Sequence, residues 1–427
     1  MDRPNIIYLH SHDTGRYIQP YGYAVPTPHL QRLAESGYLF RQAFCASPTC
    51  SPSRAALLTG MAPHNNGMLG LAHFGFTLND YSQHLLYTLR AGAGYTCVIA
   101  GMQHIAQDAT QIGFDAILED ERPAEQRAAD FLHNAPPQPF FLDIGFNPTH
   151  RVFPEHGPLD NPNYILPPAT VPDLPETRED MAGYITLARQ LDAEMGVVLD
   201  ALDASGLADR TLVICTTDHG LAFPGMKCNL THHGTGVFMI LRGPGGFQGG
   251  QVSDALVSQL DVFPTLCDLL EIAPPAWLQG ASLLPLVRGT ASELHDAVFS
   301  EINFHVSVEP ERCVRTRRWC YIRRFDGRTR PVLPNTDDSP SKTVWIEHGW
   351  RDRPVPEEQL YDLIFDPNEA DNLADRPEYR EIKAGLRTRL EDWMRATDDP
   401  LLRGPLVWPE GFPRLDPDQT SPSEVVF

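Results

Sequence analysis

Apolar residues along this chain gather in short runs that end abruptly in polar ones. NIIYL (5–9) is followed by HSHDTG, TCVIAG (96–101) by MQH, PFFLDIGF (139–146) by NPTH, and TLVICTT (211–217) by DHG. Continuous apolar runs of this length suit strands buried on both faces, as in a parallel sheet. Between them the period becomes helical. TPHLQRLAESG (27–37) has Pro near its start and Gly at its end, SQHLLYTLRAG (82–92) is a second such stretch, and Asp180 to Gly206 repeats Tyr184, Leu187, Leu191, Met195, Val198 and Leu202 at close to 3.6 spacing.

This alternation predicts an α/β fold, a mostly parallel sheet sandwiched by helices. Ligands in such sheets gather at the C-terminal ends of strands, so HSHD, GMQH, GFNPTH and TTDHG are expected on one rim. After about residue 295 the texture changes. CVRTRRWCYIRRF (313–325) alternates like one exposed antiparallel strand, YREIKAGLRTRLEDWMRAT (379–397) reads as a helix, and a Pro-rich tail starts near Pro400. The expected division is a catalytic α/β domain over 1–295 and a smaller C-terminal α+β subdomain over 296–427, its tail lying on the surface. No internal repeat is present.

Composition narrows the partners. The 427 residues carry 55 acids against 34 Lys and Arg, a formal net charge of −21, which repels nucleic acid and anionic membranes. Neither is an expected partner, and an anionic substrate would need a locally positive pocket. No basic stretch followed by an apolar core opens the chain and no apolar run approaches the ~20 residues of a membrane span, so the expected location is cytoplasmic. The eight cysteines show no CxxC or framework spacing and read mainly as small buried hydrophobes. No pattern specifies an oligomeric state.

One cysteine differs. Cys50 opens CSPSR, a Cys-x-Pro-x-Arg pentapeptide that about one chain in a hundred of this length would hold by chance. Its surroundings, TCSPSRAALLTGMAPHNNGMLGL (49–71), then TPHLQRLAESGYLFRQAF, FNPTHR, TTDHGLAFP, LDVFPTLCDLL, LQGASLLPLV and QLYDLIFDPNEADNLA, follow in order along nearly the whole chain. Together they resemble the sulfatases of the alkaline-phosphatase-like superfamily, most nearly the N-sulfoglucosamine sulfohydrolase (heparan N-sulfatase) branch.

The resemblance implies that a formylglycine-generating enzyme oxidises Cys50 during maturation. The hydrated aldehyde carries two geminal hydroxyls, one to attack sulfur and one to expel sulfate, which a serine could not do. It implies Arg54, His104, His150 and Lys227 as catalytic residues, with Lys227 gripping sulfate oxygens, His150 as general acid and His104 as the competing acid. Arg151 and His233 are the expected substrate contacts. His12, Asp13, Asp218, His219 and the modified Cys50 would hold one divalent metal. Family precedent favours calcium, whereas two imidazoles suit manganese, iron or zinc; His12 could instead hydrogen-bond behind the ligands. Met102 stands where sulfatases have Lys.

His64, His73 and His232 are weaker pocket candidates, more simply read as loop residues. Arg312, Arg315, Arg317 and Arg318 read as cations guarding a solvated edge, with one of them able to reach a sugar carboxylate. The expected substrate is a small sulfated sugar or amino sugar. Two other readings stand beside it: a phosphonate monoester or phosphodiester hydrolase on the same fold, to which His219 points, and a non-catalytic binder of sulfated glycans, to which Met102 points.

Overall fold

The computed structural model describes residues 3–424. Its main sheet contains β1 (Asn5–Ser11), β2 (Tyr38–Phe44), β3 (Thr96–Gly101), β4 (Ala116–Leu118), β5 (Phe140–Gly145), β6 (Thr211–Thr217), β7 (Met239–Arg242) and β8 (Gln251–Ser258), in the order β4-β3-β5-β1-β6-β7-β2-β8. Only β7 runs against its neighbours β6 and β2. The four apolar runs with polar ends are therefore adjacent strands, β3, β5, β1 and β6.

Alternation along these strands feeds two cores. Ile6, Tyr8 and Phe141 face one layer with Phe40, Leu57 and Phe263; Ile7, Leu9, Phe140 and Leu142 face the other with Leu30, Leu191 and Met195. Both faces are thus covered by helices. The longest, Pro175–Ala204, lays Leu191, Met195 and Val198 on the sheet and begins five residues before the expected Asp180, with Pro175 at its first turn.

A second, antiparallel sheet has the order β12-β11-β10-β9, from β9 (Val298–Phe304), β10 (Val308–Arg315), β11 (Trp319–Arg324) and β12 (Glu358–Asp362). The helix Arg380–Ala396 covers it through Leu386, Leu390 and Met394. Here the expectation for 313–325 needs correcting: the segment is a hairpin rather than one strand. The Thr316 hydroxyl accepts from the backbone N–H of Trp319 at 2.9 Å and closes the turn between β10 and β11. Its strands are also largely buried, with Arg315 4% and the preceding Arg312 0% exposed, while Arg317 and Arg318 at the turn face solvent.

In the tail, Trp408 packs edge-on against Phe74, Phe76 and Phe304, and Leu415 bonds to Val306. Among the described residues no helix is long and apolar enough to cross a membrane.

Candidate active site

Sheet register builds the site. Ser11 of β1 pairs with Thr217 of β6, so the residues leaving the two strands, His12-Asp13 and Asp218-His219, emerge side by side. Asp13 turns there with φ 54°, a left-handed conformation that Asp tolerates better than most residues. On the other side of β1, β5 delivers Asn147 and His150, and β3 delivers Met102 and His104. The predicted rim is present.

Cys50 arrives from a different direction, in the first turn of the helix Cys50–Thr59, every residue of which is buried. Its Sγ lies 3.3 Å from His219 Nε2. Ser53 fastens the helix by donating to the Asp218 carbonyl at 2.5 Å. A helix N-terminus favours negative charge, which suits an anionic nucleophile or an incoming sulfate. Burial alone would push the Cys50 thiol up, yet Lys227, His12, His219 and His104 outweigh it and hold the thiol well below its usual range.

The acidic centre is compact. One ligand atom each from His12, Asp13, Cys50, Asp218 and His219 lie within 4.8 Å of one another, all buried. His12 Nδ1 stands 2.8 Å from Asp13 Oδ1 and 3.1 Å from Asp218 Oδ2, and His219 Nε2 stands 3.3 Å from Asp13 Oδ1. Burial would depress His219, but Asp218 and Asp13 raise it to about 9, while His12 is likewise lifted against burial by Asp218, Cys50 and Asp13. Two imidazolium groups thus compensate two buried carboxylates, the role a divalent cation would take. His219 Nδ1 lies 2.9 Å from the Gly220 carbonyl and donates to it, which leaves the Nε2 lone pair for the cluster once the ring is neutral. The donor set fits a divalent metal ion.

Arg54 and Lys227 bracket this centre. Arg54 donates to Asp218 Oδ2 and to the Ser11 carbonyl, each at 2.8 Å. Lys227 is 3% exposed, which excludes a solvated surface role, and its Nζ sits 3.0 Å from both Asp13 Oδ2 and Asp337 Oδ2. Burial disfavours its charge, but Asp13 and Asp337 keep it protonated. Asp337 went unnoticed in the sequence, because it is 110 positions from Lys227 in a Pro- and Asp-rich loop.

Above the centre opens a cavity of about 670 Å³ whose lining includes His12, His73, Met102, His104, His150 and Gln190. The His150 ring meets His12 edge-on at 4.4 Å, and its Nδ1 donates to the Arg151 carbonyl at 2.5 Å, leaving Nε2 as its exchangeable nitrogen. His104 stacks on His73, whose Nδ1 is 3.2 Å from His104 Nε2, and its buried Nδ1 has no hydrogen-bond partner among the described residues. His73, a weak candidate from sequence, therefore belongs to the cavity. Met102 lines it where a lysine was expected, and no other free cation takes that place among the lining residues.

Of the two expected substrate contacts, Arg151 lines the cavity with its guanidinium already engaged, and His233 lies away from it. The Arg151 guanidinium is clamped bidentately on Asp180 at 2.7 and 2.8 Å, donates Nε to the Ala222 carbonyl, and lies over Phe153 and Phe223. All three of its nitrogens are engaged, so it braces the loop. His233 is buried in the short helix His232–Thr235 with its Nε2 on the Asn368 carbonyl, away from the cavity lining, while His232 pairs with Glu369 and His64 with Glu301. Nor do Arg312 and Arg315 guard a wet edge: buried, they pair with Asp399 and Glu369.

Comparison with known proteins points the same way. The family model described as sulfatase matches residues 4–272, and one described as N-sulphoglucosamine sulphohydrolase, C-terminal, matches 228–342. The chain is 31% identical to human N-sulphoglucosamine sulphohydrolase, over 90% of this chain and 88% of that one. It is 30% identical to an ulvan-active sulfatase of Formosa agariphila, over 99% and 86%. Among solved structures, a Bacteroides thetaiotaomicron protein crystallised as a candidate sulfatase superposes with a TM-score of 0.75 at 23% identity, covering 96% of each chain.

Proposed function

This chain belongs to the sulfatase family, and from that premise we propose that it is a formylglycine-dependent hydrolase of sulfate esters or sulfamates on a sulfated sugar or amino sugar. The observation that carries the reading is the convergence of Cys50, Arg54, Asp13, Asp218 and Lys227 from three separate parts of the chain on one buried centre. The names of the two relatives, one an N-sulphoglucosamine sulphohydrolase and the other ulvan-active, support a sulfated sugar as the substrate class.

Oxidised and hydrated, position 50 would supply two geminal hydroxyls, and a divalent cation, which Asp13, Asp218, His219 and His12 would hold, would supply Lewis-acid polarisation. The chain's own residues do the rest. Arg54 and Lys227 present positive charge to sulfate oxygens as negative charge builds on them. His104, whose buried Nδ1 has no partner among the described residues, accepts the proton of position 50; His150, with Nε2 free toward the cavity, hands a proton to the leaving amine or alkoxide. The helix start at Cys50 excludes water from the reacting atoms by burial on all sides. Family precedent names calcium as the cation, and two imidazoles in the donor set weigh toward manganese or zinc.

The test joins three measurements on one preparation. Peptide mass spectrometry over Cys50 is expected to show a residue about 18 Da lighter than cysteine. Elemental analysis is expected to find about one divalent metal per chain, whose removal by chelation abolishes turnover and whose return restores it. Aryl sulfate and glucosamine N-sulfate are expected to turn over faster than phosphonate monoesters. Unmodified Cys50 in fully active protein, or preference for the phosphorus esters, overturns the reading.

A further inference from the structure

Arg54 does not rest on the acidic centre alone. Its Nη1 points the other way, to Nδ1 of His10 at 2.5 Å, and the opposite ring nitrogen of His10, Nε2, lies 2.8 Å from Asp143 Oδ1. His10, Arg54 and Asp143 are each 2% exposed or less. A guanidinium has donors only, so His10 Nδ1 must accept, and the ring proton therefore sits on Nε2 and is donated to Asp143. The chain Asp143, His10, Arg54 has one direction and one tautomer.

The surrounding strands are shaped for it. Tyr8 stacks on the His10 ring with centroids 4.6 Å apart. Across the β1–β5 ladder His10 stands opposite Gly145, where an added Cβ would strike the Met102 carbonyl oxygen and also come within 2.6 Å of His10 Cε1. The bare glycine is needed by the backbone first and leaves the ring its place as well. The ring is thus pinned on its face by Tyr8 and at its edge by a bare backbone position. Nη1 makes no other hydrogen bond among the described residues, and Nε makes none.

We propose that His10 and Asp143 are positioning residues for sulfuryl transfer: Asp143 fixes the tautomer of His10, and His10 aims the Arg54 guanidinium at the nucleophile without neutralising it. The choice of acceptor matters. A carboxylate at position 10 would form a second ion pair with Arg54 and compete for its charge, whereas an imidazole nitrogen orients the cation and leaves the charge for sulfate. The inference rests on the sulfatase reading above and adds to it two residues that touch neither substrate nor metal.

Three variants test it, each measured beside the wild type for 4-nitrophenyl sulfate hydrolysis, formylglycine content at position 50 and urea unfolding midpoint. Asp143→Asn keeps the shape but removes the carboxylate: with its N–H toward His10 Nε2 the ring proton moves to Nδ1 against Arg54, and with its Oδ1 there the charge that holds the tautomer is lost. His10→Leu removes the acceptor. His10→Asn puts its Oδ1 near where Nδ1 was and restores an acceptor for Arg54. The expected result is a loss of about tenfold to hundredfold in kcat for Asp143→Asn and His10→Leu, with KM within about twofold, and recovery of most of that loss in His10→Asn. Wild-type kcat in Asp143→Asn and His10→Leu overturns the proposal. So does activity that merely follows the unfolding midpoint across the three variants, since a structural role would produce that. Should His10→Leu not fold, the contrast between the other two still decides. A wild type that carries formylglycine yet turns over no sulfate overturns the functional reading itself, which an active wild type with unaffected variants does not.

Discussion

Two arginines of this molecule are equally hidden from water and differently held. Arg312, 0% exposed, places Nε and Nη2 on the two oxygens of Asp399 at 2.6 and 3.0 Å and gives Nη1 to the carbonyls of Ile302 and Glu311. Its charge is neutralised by a carboxylate of its own. Arg54, 2% exposed, rests on a neutral imidazole and a backbone carbonyl, and its single carboxylate oxygen, Asp218 Oδ2, is shared with His12. The first arrangement consumes a cation to join two parts of the fold 87 positions apart; the second keeps a cation available at the centre proposed to take sulfate. A buried arginine's partners, more than its burial, separate architecture from chemistry.

The comparison breaks most sharply by truncating each cation. Arg54→Met is expected to lower kcat roughly a thousandfold, as loss of a charged transition-state contact does, with the unfolding midpoint far less affected once metal is bound. Arg312→Met leaves Asp399 uncompensated beside Glu301, and should cost about 3–5 kcal/mol of stability while the folded, formylglycine-bearing fraction keeps its kcat. Adding Asp399→Leu to Arg312→Met should recover much of that stability, because replacing both partners of a buried pair removes the orphaned charge. Urea unfolding and steady-state turnover on the same samples read both effects. Equal loss of activity in the two single variants would erase the distinction.

How visible was this in the sequence? The four strands whose apolar runs end in HSHD, GMQH, GFNPTH and TTDHG were legible because burial on both faces removes polar residues and the loop restores them at once. β2, with exposed Arg41 and Gln42 in its middle, carries no such run. At the site, Cys50, Arg54, Asp13, Asp218, His219 and Lys227 came from the resemblance to sulfatases, which short motifs such as CSPSR and TTDHG carry. Arg312 and Arg315 were misread as solvent-facing because their partners Asp399 and Glu369 lie 87 and 54 positions away, beyond any local pattern. His10 was overlooked for a similar reason: as the last residues of an apolar run it and Ser11 look like the strand's frayed end, and its role depends on Asp143 from another strand. Arg151 was assigned to substrate by the resemblance; it lines the cavity, and its pairing with Asp180, 29 positions on, lies outside that motif.

A third buried arginine extends the comparison in the opposite sense. Arg324 faces three carboxylates, with Glu309 and Glu311 at 2.7 Å and Asp326 at 3.3 Å. Acid is in excess there, and burial, only partly offset by Arg324, raises Glu311 from 4.5 to about 7. Between those values the native state binds a proton that the unfolded chain has released, so stability is full below about pH 4.5 and falls as pH rises to about 7. Glu311→Gln removes that titration. The variant should match the wild type near pH 4.5 and exceed it at pH 8 by up to about 3 kcal/mol, the 2.5-unit interval at about 1.36 kcal/mol per unit. Urea unfolding across that range measures the difference; parallel curves for the two proteins would place the excess charge elsewhere.

The smallest expected effect sharpens what burial itself contributes. Arg317 Nη1 meets Glu293 Oε1 at 2.7 Å, nearly the separation of the Arg312–Asp399 contact, but its side chain is 58% exposed and that of Glu293 60%. Water solvates both charges whether or not they pair, and holding two long side chains together costs rotamer freedom. Arg317→Ala is therefore expected to change stability by less than about 1 kcal/mol, and that little should fade when salt is raised to about 1 M, where screening acts within roughly 3 Å. The Arg312→Met loss should be nearly indifferent to salt, because no ions reach that pair. A large or salt-independent loss for Arg317→Ala would mean that contact distance governs these pairs, and the three buried arginines would have to be compared on that ground instead.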